Sequence, residues 1–223
     1  MVKRLIIAID GPAGSGKSTV AKEVAKRLKL LYVDTGAMYR ALTLKAIRES
    51  IDFNDENALI ELTCRTDIDL KTDKDFKLAV LLDGEDVSEE IRKSFVTNNV
   101  KYVARIFEVR KKMLVLQRKA ASCGKAVLEG RDIGTVVFPD ANKKIYLDAS
   151  ADERIRRRYK ELNEKGYDVT LDEIKRDVEM RDYSDKTRKV APLKKADDAI
   201  VIDTTDLTMT EVAERIIKEI EAL

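Results

Sequence analysis

The stretch Gly11-Pro12-Ala13-Gly14-Ser15-Gly16-Lys17-Ser18 fits the pattern G-x-x-x-x-G-K-[ST], and Thr19 follows it. Before it, Leu5 to Ile9 is an unbroken apolar run, as a strand buried on both faces requires. After it, Ser18 to Leu28 places Val20, Val24 and Leu28 on one helical stripe. Strand, glycine-rich turn and helix in that order are the setting in which this pattern binds phosphate. The glycines let successive backbone N–H groups point inward at the helix N-terminus, where the dipole also favours an anion. Residues 11–19 therefore predict a nucleoside triphosphate site, with Lys17 on the β- and γ-phosphates and the Ser18 hydroxyl on Mg²⁺.

Outward from this loop, Leu30 to Val33 reads as a second strand and Thr35 to Glu49 as a second helix. That βαβα order predicts a parallel sheet with helices packed on it. From Asp67 to Leu82 the period drops to two, with Ile68, Leu70 and Thr72, then Phe76, Leu78, Val80 and Leu82, alternating largely with polar or charged residues. This predicts a small antiparallel hairpin or meander with a further turn at Asp83-Gly84, carried in an insertion over 62–92. A helical pattern resumes with Val96, Val100, Val103 and Phe107 and continues through Arg110 to Gln117. Ala126–Leu128, Lys144–Leu147 and Ala199–Ile202 are the remaining strands. The charged stretch from Asp152 to Asp182 predicts two helices interrupted at Gly166-Tyr167, the second opened by a Thr170-x-x-Glu173 capping box. Thr208-x-x-Glu211 opens the last helix in the same way. The expected fold is a doubly wound five-stranded parallel α/β sheet with a small antiparallel β insertion, in one domain over 1–223.

Composition narrows the chemistry. With 43 basic against 41 acidic residues the surface is mixed in sign, which argues against a polyanion binder and so against nucleic acid as a partner. Histidine is absent, which removes an imidazole base and the Ser/His/Asp and Cys/His systems. Cys64 and Cys123 stand alone, without the spacing of a zinc or redox site. The apolar run after Lys3-Arg4 is too short for a signal peptide or a membrane span, so the expected location is the cytoplasm.

A phosphate-binding loop alone fits kinases, GTPases and motors. The base-reading N-K-x-D of GTPases and the Asp-Glu strand end of motors are both missing. Arginines stand instead after strands and along helix faces. Asp34-Thr35-Gly36-Ala37-Met38-Tyr39-Arg40 follows the second strand, and Glu129-Gly130-Arg131-Asp132 follows the third. In a doubly wound sheet these turns face the ligand crevice. Arg181, Asp185 and Arg188 fall at helical spacing, as do Arg154, Arg157 and Arg158. A hydroxyl acceptor wants a carboxylate base, whereas a phosphate acceptor is already ionised and wants bidentate guanidinium clamps. The pattern points to transfer from one phosphate to another.

The same residues resemble the bacterial cytidylate kinases, a branch of the nucleoside monophosphate kinases with a P-loop NTP hydrolase-like fold. The likeness runs through IDGPAGSGKST (9–19), DTGAMYRALTL (34–44), LDGEDVSEEIR (82–92), LEGRDIGTVVFPDANKKIYLDAS (128–150) and RDYSDKTRKVAPLKKADDAIVIDT (181–204). It implies transfer of the γ-phosphate of ATP to CMP or dCMP, with Mg²⁺, on small-molecule substrates; a monomer away from membranes is the default expectation. It further implies that Arg110 and Asp132 read the cytosine edge and that Arg40 and Arg131 hold the acceptor phosphate. Arg181, Asp185 and Arg188 would surround sugar and phosphate, and Thr35 would touch the nucleotide. The stretch 152–168 would be a mobile helical lid whose Arg157 or Arg158 joins Lys17, Arg131 and Arg188 at the transferred group. Asp34 would orient a water on the metal. One position departs: Lys101 stands where some members place a serine near the base.

Two other readings compete with this one. A kinase for UMP, AMP or a non-nucleotide acceptor would keep the loop and change the base pocket. An ATP-gated switch that binds RNA or protein would use the basic runs Arg154–Lys160 and Lys186–Lys195, but aromatics make up only 5% of the chain, too few for base stacking.

Overall fold

In the computed structural model, which describes residues 4–73, 78–164 and 166–222, β1 (Leu5–Asp10) is the middle strand of a five-stranded sheet. The order is β2 (Leu31–Asp34), β6 (Lys125–Gly130), β1, β7 (Lys143–Asp148) and β8 (Ile200–Asp203), and every pairing is parallel. The apolar run of β1 is continuous because both faces are covered. Ile7 and Ile9 face the core that includes Val20 and Val24 of α1 (Lys17–Leu28) and Val212 and Ile216 of α8 (Met209–Glu221). Ile6 and Ala8 face a second core with Val33, Leu128, Ile133 and Val137. The chain winds to one side of β1 with β2 and β6 and to the other with β7 and β8. The carboxyl end of β1 is therefore the switch point where a ligand crevice opens.

The period-two stretch forms a second, antiparallel sheet of β3 (Ile68–Thr72), β4 (Leu78–Leu82) and β5 (Glu85–Asp86). Ile68, Leu78, Val80 and Leu82 are buried and pack with the main core beside α2 (Thr35–Arg48). Phe76 lies outside the described residues. Sequence periodicity gave no warning of α3 (Glu56–Cys64), which Asp55 caps by accepting the Ala58 N–H at 2.9 Å.

The helical pattern expected from Val96 to Gln117 is two helices, α4 (Ser94–Ala104) and α5 (Phe107–Ala120). Ile106 is extended between them and takes the core position, 3% exposed, while Phe107 is 56% exposed. The restart at Ile106 rotates Phe107 off the stripe it would occupy in one continuous helix. After β6, a five-residue π-type turn spans Ile133–Val137. After β7, α6 (Ala151–Glu164) and α7 (Leu171–Thr187) form a hairpin with its own small core of Ile155, Leu162, Ile174 and Val178. Both predicted capping boxes are present, at Thr170/Glu173 and Thr208/Glu211. Among the described residues, no helix is long and apolar enough to cross a membrane.

Candidate active site

The phosphate-binding loop fills the carboxyl end of β1. Gly11 has φ +150°, and a Cβ there would stand 2.0 Å from the Leu147 carbonyl oxygen of β7, so a side chain cannot fit. Gly16, left-handed at φ +88°, hands the chain into α1. Pro12 and Ser15 are buried in the turn, and Ser15 Oγ donates to the Pro12 carbonyl at 3.1 Å. Lys17 is curled into its own loop, donating to Pro12 O at 2.5 Å and Ser15 Oγ at 3.3 Å. Burial, aided by the charge of Arg131 and opposed by Glu129, Asp185 and Asp10, pushes its pKa down to about 7. An anion in the loop would offset that desolvation and favour the charged ammonium. Ala13 accepts from Arg154, Gly14 lies against the start of α6, and Thr19 is exposed on the first turn of α1.

Beside the loop, Ser18 Oγ donates to Glu129 Oε2 at 2.8 Å, and Tyr32 donates to the other carboxylate oxygen at 2.5 Å. Burial, together with neighbouring Asp34, raises the Glu129 pKa. The parallel register pairs Asp34 with Glu129 at the ends of β2 and β6, which brings the two acids side by side. Both Asp34 oxygens are taken: Oδ1 caps α2 through Ala37 N and Oδ2 accepts from Arg40, each at 2.8 Å. Burial alone would raise the Asp34 pKa. The Arg40 guanidinium, the Ala37 N–H and Arg92 outweigh it and hold the carboxyl below its ordinary value. The carboxylate that meets the Ser18 hydroxyl directly is Glu129, with Asp34 beside it. A hydroxyl and a buried carboxylate are the hard oxygen donors that suit Mg²⁺, which takes its other ligands from water and phosphate. The residues present fit that ion.

Across the crevice, Arg110 of α5 and Asp132 form a buried ion pair at 2.5 Å, with 8% and 9% of their side chains exposed. Arg110 also donates to Ala104 O and lies over the Tyr39 ring, 5.4 Å from its centroid. Asp132 precedes the π-type turn, but its side chain caps nothing there. Asp185 of α7 bridges two arginines, accepting from Arg131 Nε at 2.7 Å and Arg188 Nη1 at 3.2 Å. Arg181 donates to Asp177, and burial with the nearby cations of Arg158 and Arg131 lowers its pKa against the pull of Asp177. Burial and the charge of Arg110 likewise lower that of Arg188. Thr35 Oγ1 donates to the Glu129 carbonyl at 2.7 Å and so ties α2 to β6.

Five buried side-chain nitrogen or oxygen atoms among the described residues have no hydrogen-bond partner, and three are guanidinium nitrogens of Arg40, Arg158 and Arg188. Buried donors are costly unless paired, so crowded guanidinium groups with unspent N–H capacity indicate an anion site. The two candidate lid arginines diverge. Arg157 is fixed by Glu153 and by the Thr204 hydroxyl and carbonyl, at the outer edge of the loop near Gly16. Arg158 pairs with Glu161 and lies near enough to Arg181 to lower its pKa. Lys101 is exposed, its ammonium over the Tyr102 ring at 5.1 Å. Sequence reasoning placed Glu129 in a turn facing the crevice but gave it no role, and it gave none to Arg92. Alignment of the two strand ends, LYVD and AVLE, was the signal that could have given Glu129 its role.

The family model for cytidylate kinase matches residues 7–222. A cytidylate kinase of Desulforamulus reducens is 53% identical over 221 residues, covering 99% of each chain. One from Caldanaerobacter subterraneus is 52% identical over 214 residues, covering 96% of this chain and 93% of the other. A gluconokinase from Sinorhizobium meliloti shares the fold at a TM-score of 0.50 and 12% identity, covering 98% of this chain and 93% of that one.

Proposed function

The chain belongs to the cytidylate kinase family, and from that membership we propose that it transfers the γ-phosphoryl group of ATP to CMP or dCMP, giving ADP and CDP or dCDP. The observation that carries the reading is the meeting of a phosphate-binding loop with arginines that keep buried, unpaired N–H donors at the same sheet edge. Such an edge suits two phosphates drawn together, since no base is needed for an ionised phosphate acceptor.

In this account ATP lies on residues 11–19, and Lys17 leaves Pro12 and Ser15 to meet its phosphates. Ser18 and Glu129 would hold Mg²⁺, with Asp34 beside them, and the ion would supply charge neutralisation at the phosphates. Asp132 accepts from the exocyclic amine of cytosine while Arg110 donates to the ring acceptors, a pairing that uracil would reverse at its carbonyl. Arg40, Arg131 and Arg188 clamp the acceptor phosphate, with Asp185 holding the last two in register, and Arg181 and Thr35 complete the nucleotide pocket. The antiparallel sheet and its flanks, residues 62–92, border that pocket. Residues 152–168 act as a lid that brings Arg158 to the transferred group and keeps Arg157 on the ATP side, excluding water during in-line attack. We take the enzyme to be a cytoplasmic monomer. The test is ADP formation from Mg-ATP with CMP, dCMP, UMP, AMP, GMP or no acceptor. The expected result is fast turnover with CMP and dCMP only. Equal ADP release without acceptor would overturn the kinase reading.

A further inference from the structure

We infer that Asp10 is a positioning residue for the acceptor nucleotide, its two carboxylate oxygens holding the turn that carries Arg131 and Asp132 against the end of β1. This rests on the assignment of those two residues to the acceptor. Asp10 is the last residue of β1 and is 5% exposed. One oxygen accepts the Ile133 N–H at 2.8 Å and the other accepts the Gly134 N–H at 2.7 Å. These amides follow directly after Asp132.

The turn needs this support for a topological reason. Its own backbone bonds begin with Val136 and Val137 donating to the Asp132 carbonyl. The N–H groups of Ile133 and Gly134 therefore lie at the amino end of a helical turn, where no internal acceptor exists. Asp132 could have capped them, but its carboxylate is turned away to Arg110. Asp10 caps them from another strand and leaves Asp132 free to face the crevice.

A carboxylate this deep is costly unless its oxygens are bonded. Burial, with the charge of Asp132, pushes the Asp10 pKa up to about 6 against the two N–H bonds and Lys17. The ionised form is needed because only it offers two acceptors to two donors. Asp10 also directly precedes Gly11 of the phosphate-binding loop. One residue thus sets the register between the donor site and the turn that reads the acceptor.

Asp10→Asn tests this with almost no change in shape, since an amide offers one acceptor and turns a second donor toward an N–H. Asp10→Glu keeps the charge but lengthens the side chain, so that its oxygens no longer meet both N–H groups from the strand end, and it serves if Asp10→Asn does not fold. In each, the KM for CMP should rise about tenfold or more, consistent with loss of a charge-assisted hydrogen bond. The preference for CMP over UMP in kcat/KM should fall in proportion, while the KM for ATP stays within about twofold. Amide exchange at Ile133 and Gly134 should quicken at least about tenfold, with Ile6 to Ala8 unchanged. Unchanged CMP kinetics, an equal rise in the KM for ATP, or unchanged exchange at 133–134 would overturn the inference. If the wild-type enzyme shows no preference for CMP, the site assignment has failed, and the exchange data alone decide whether Asp10 holds the turn.

Discussion

The carboxyl edge of the parallel sheet and the α6–α7 hairpin both bring arginines toward the phosphate-binding loop, but they are held by different means. At the edge, Arg110 and Asp132 are buried as a pair, buried Glu129 accepts from Ser18 and Tyr32, and buried Asp34 caps α2 and pairs with Arg40. The hairpin instead carries its own core of Ile155, Leu162, Ile174 and Val178, separate from the two cores that sandwich the sheet. Its ties to the rest are polar and lie toward its base: Arg154 donates to Ala13 and Ala149, Arg157 to Thr204, and Asp185 accepts from Arg131. The edge is preorganised, so its polar groups need little rearrangement when charge develops. A hairpin stable within itself and tethered by hydrogen bonds can move as a unit.

The largest expected effect contrasts one arginine from each region. Arg110→Met leaves Asp132 buried without its partner and should cost about 3–5 kcal/mol in urea unfolding. Arg181→Met, at a side chain 27% exposed on the hairpin, should change stability by less than about 0.5 kcal/mol while slowing turnover. Equal stability losses would erase the distinction between the regions.

A middle-sized effect follows from the pKa of Asp10. Its folded value is raised to about 6 from 3.8, so the native state binds the proton more readily. Stability from this group therefore falls as pH rises through that window and is regained as pH falls. Between pH 7 and pH 5, wild type should gain about 1.4 kcal/mol relative to Asp10→Asn, measured as the difference of their unfolding free energies. A constant difference would mean that the carboxyl titrates normally. The smallest effect is in packing. Ile174→Val should cost about 0.5–1.5 kcal/mol, felt as faster amide exchange within 151–187 only, whereas Ile9→Val should loosen the whole sheet.

The same contrast explains what the sequence disclosed. The phosphate-binding loop, the period-two strands and both capping boxes are local codes, and each was legible. The hairpin was legible for the same reason: Gly166-Tyr167 and Thr170-x-x-Glu173 mark its turn and restart. The break at Ile106 was not, because it carries neither glycine nor proline and is set by what Ile106 buries in three dimensions. The short helix α3 and the π-type turn at 133–137 were missed because neither extends a periodic pattern long enough to register. Glu129 was placed at the crevice without a role, because that role depends on lying opposite Asp34 in the parallel register, a fact of topology rather than of spacing.

The measurement that bears most directly on the preorganised edge is the ratio of kcat/KM for CMP over UMP in wild type and in Asp132→Asn. A carboxylate accepts from the cytosine amine, whereas an amide can donate to the uracil carbonyl. The substitution should therefore lower the ratio at least about tenfold, chiefly through lost CMP turnover, with ATP kinetics retained. A ratio that stays constant while both substrates slow together would mean that Asp132 supports the fold of the edge and does not read the base.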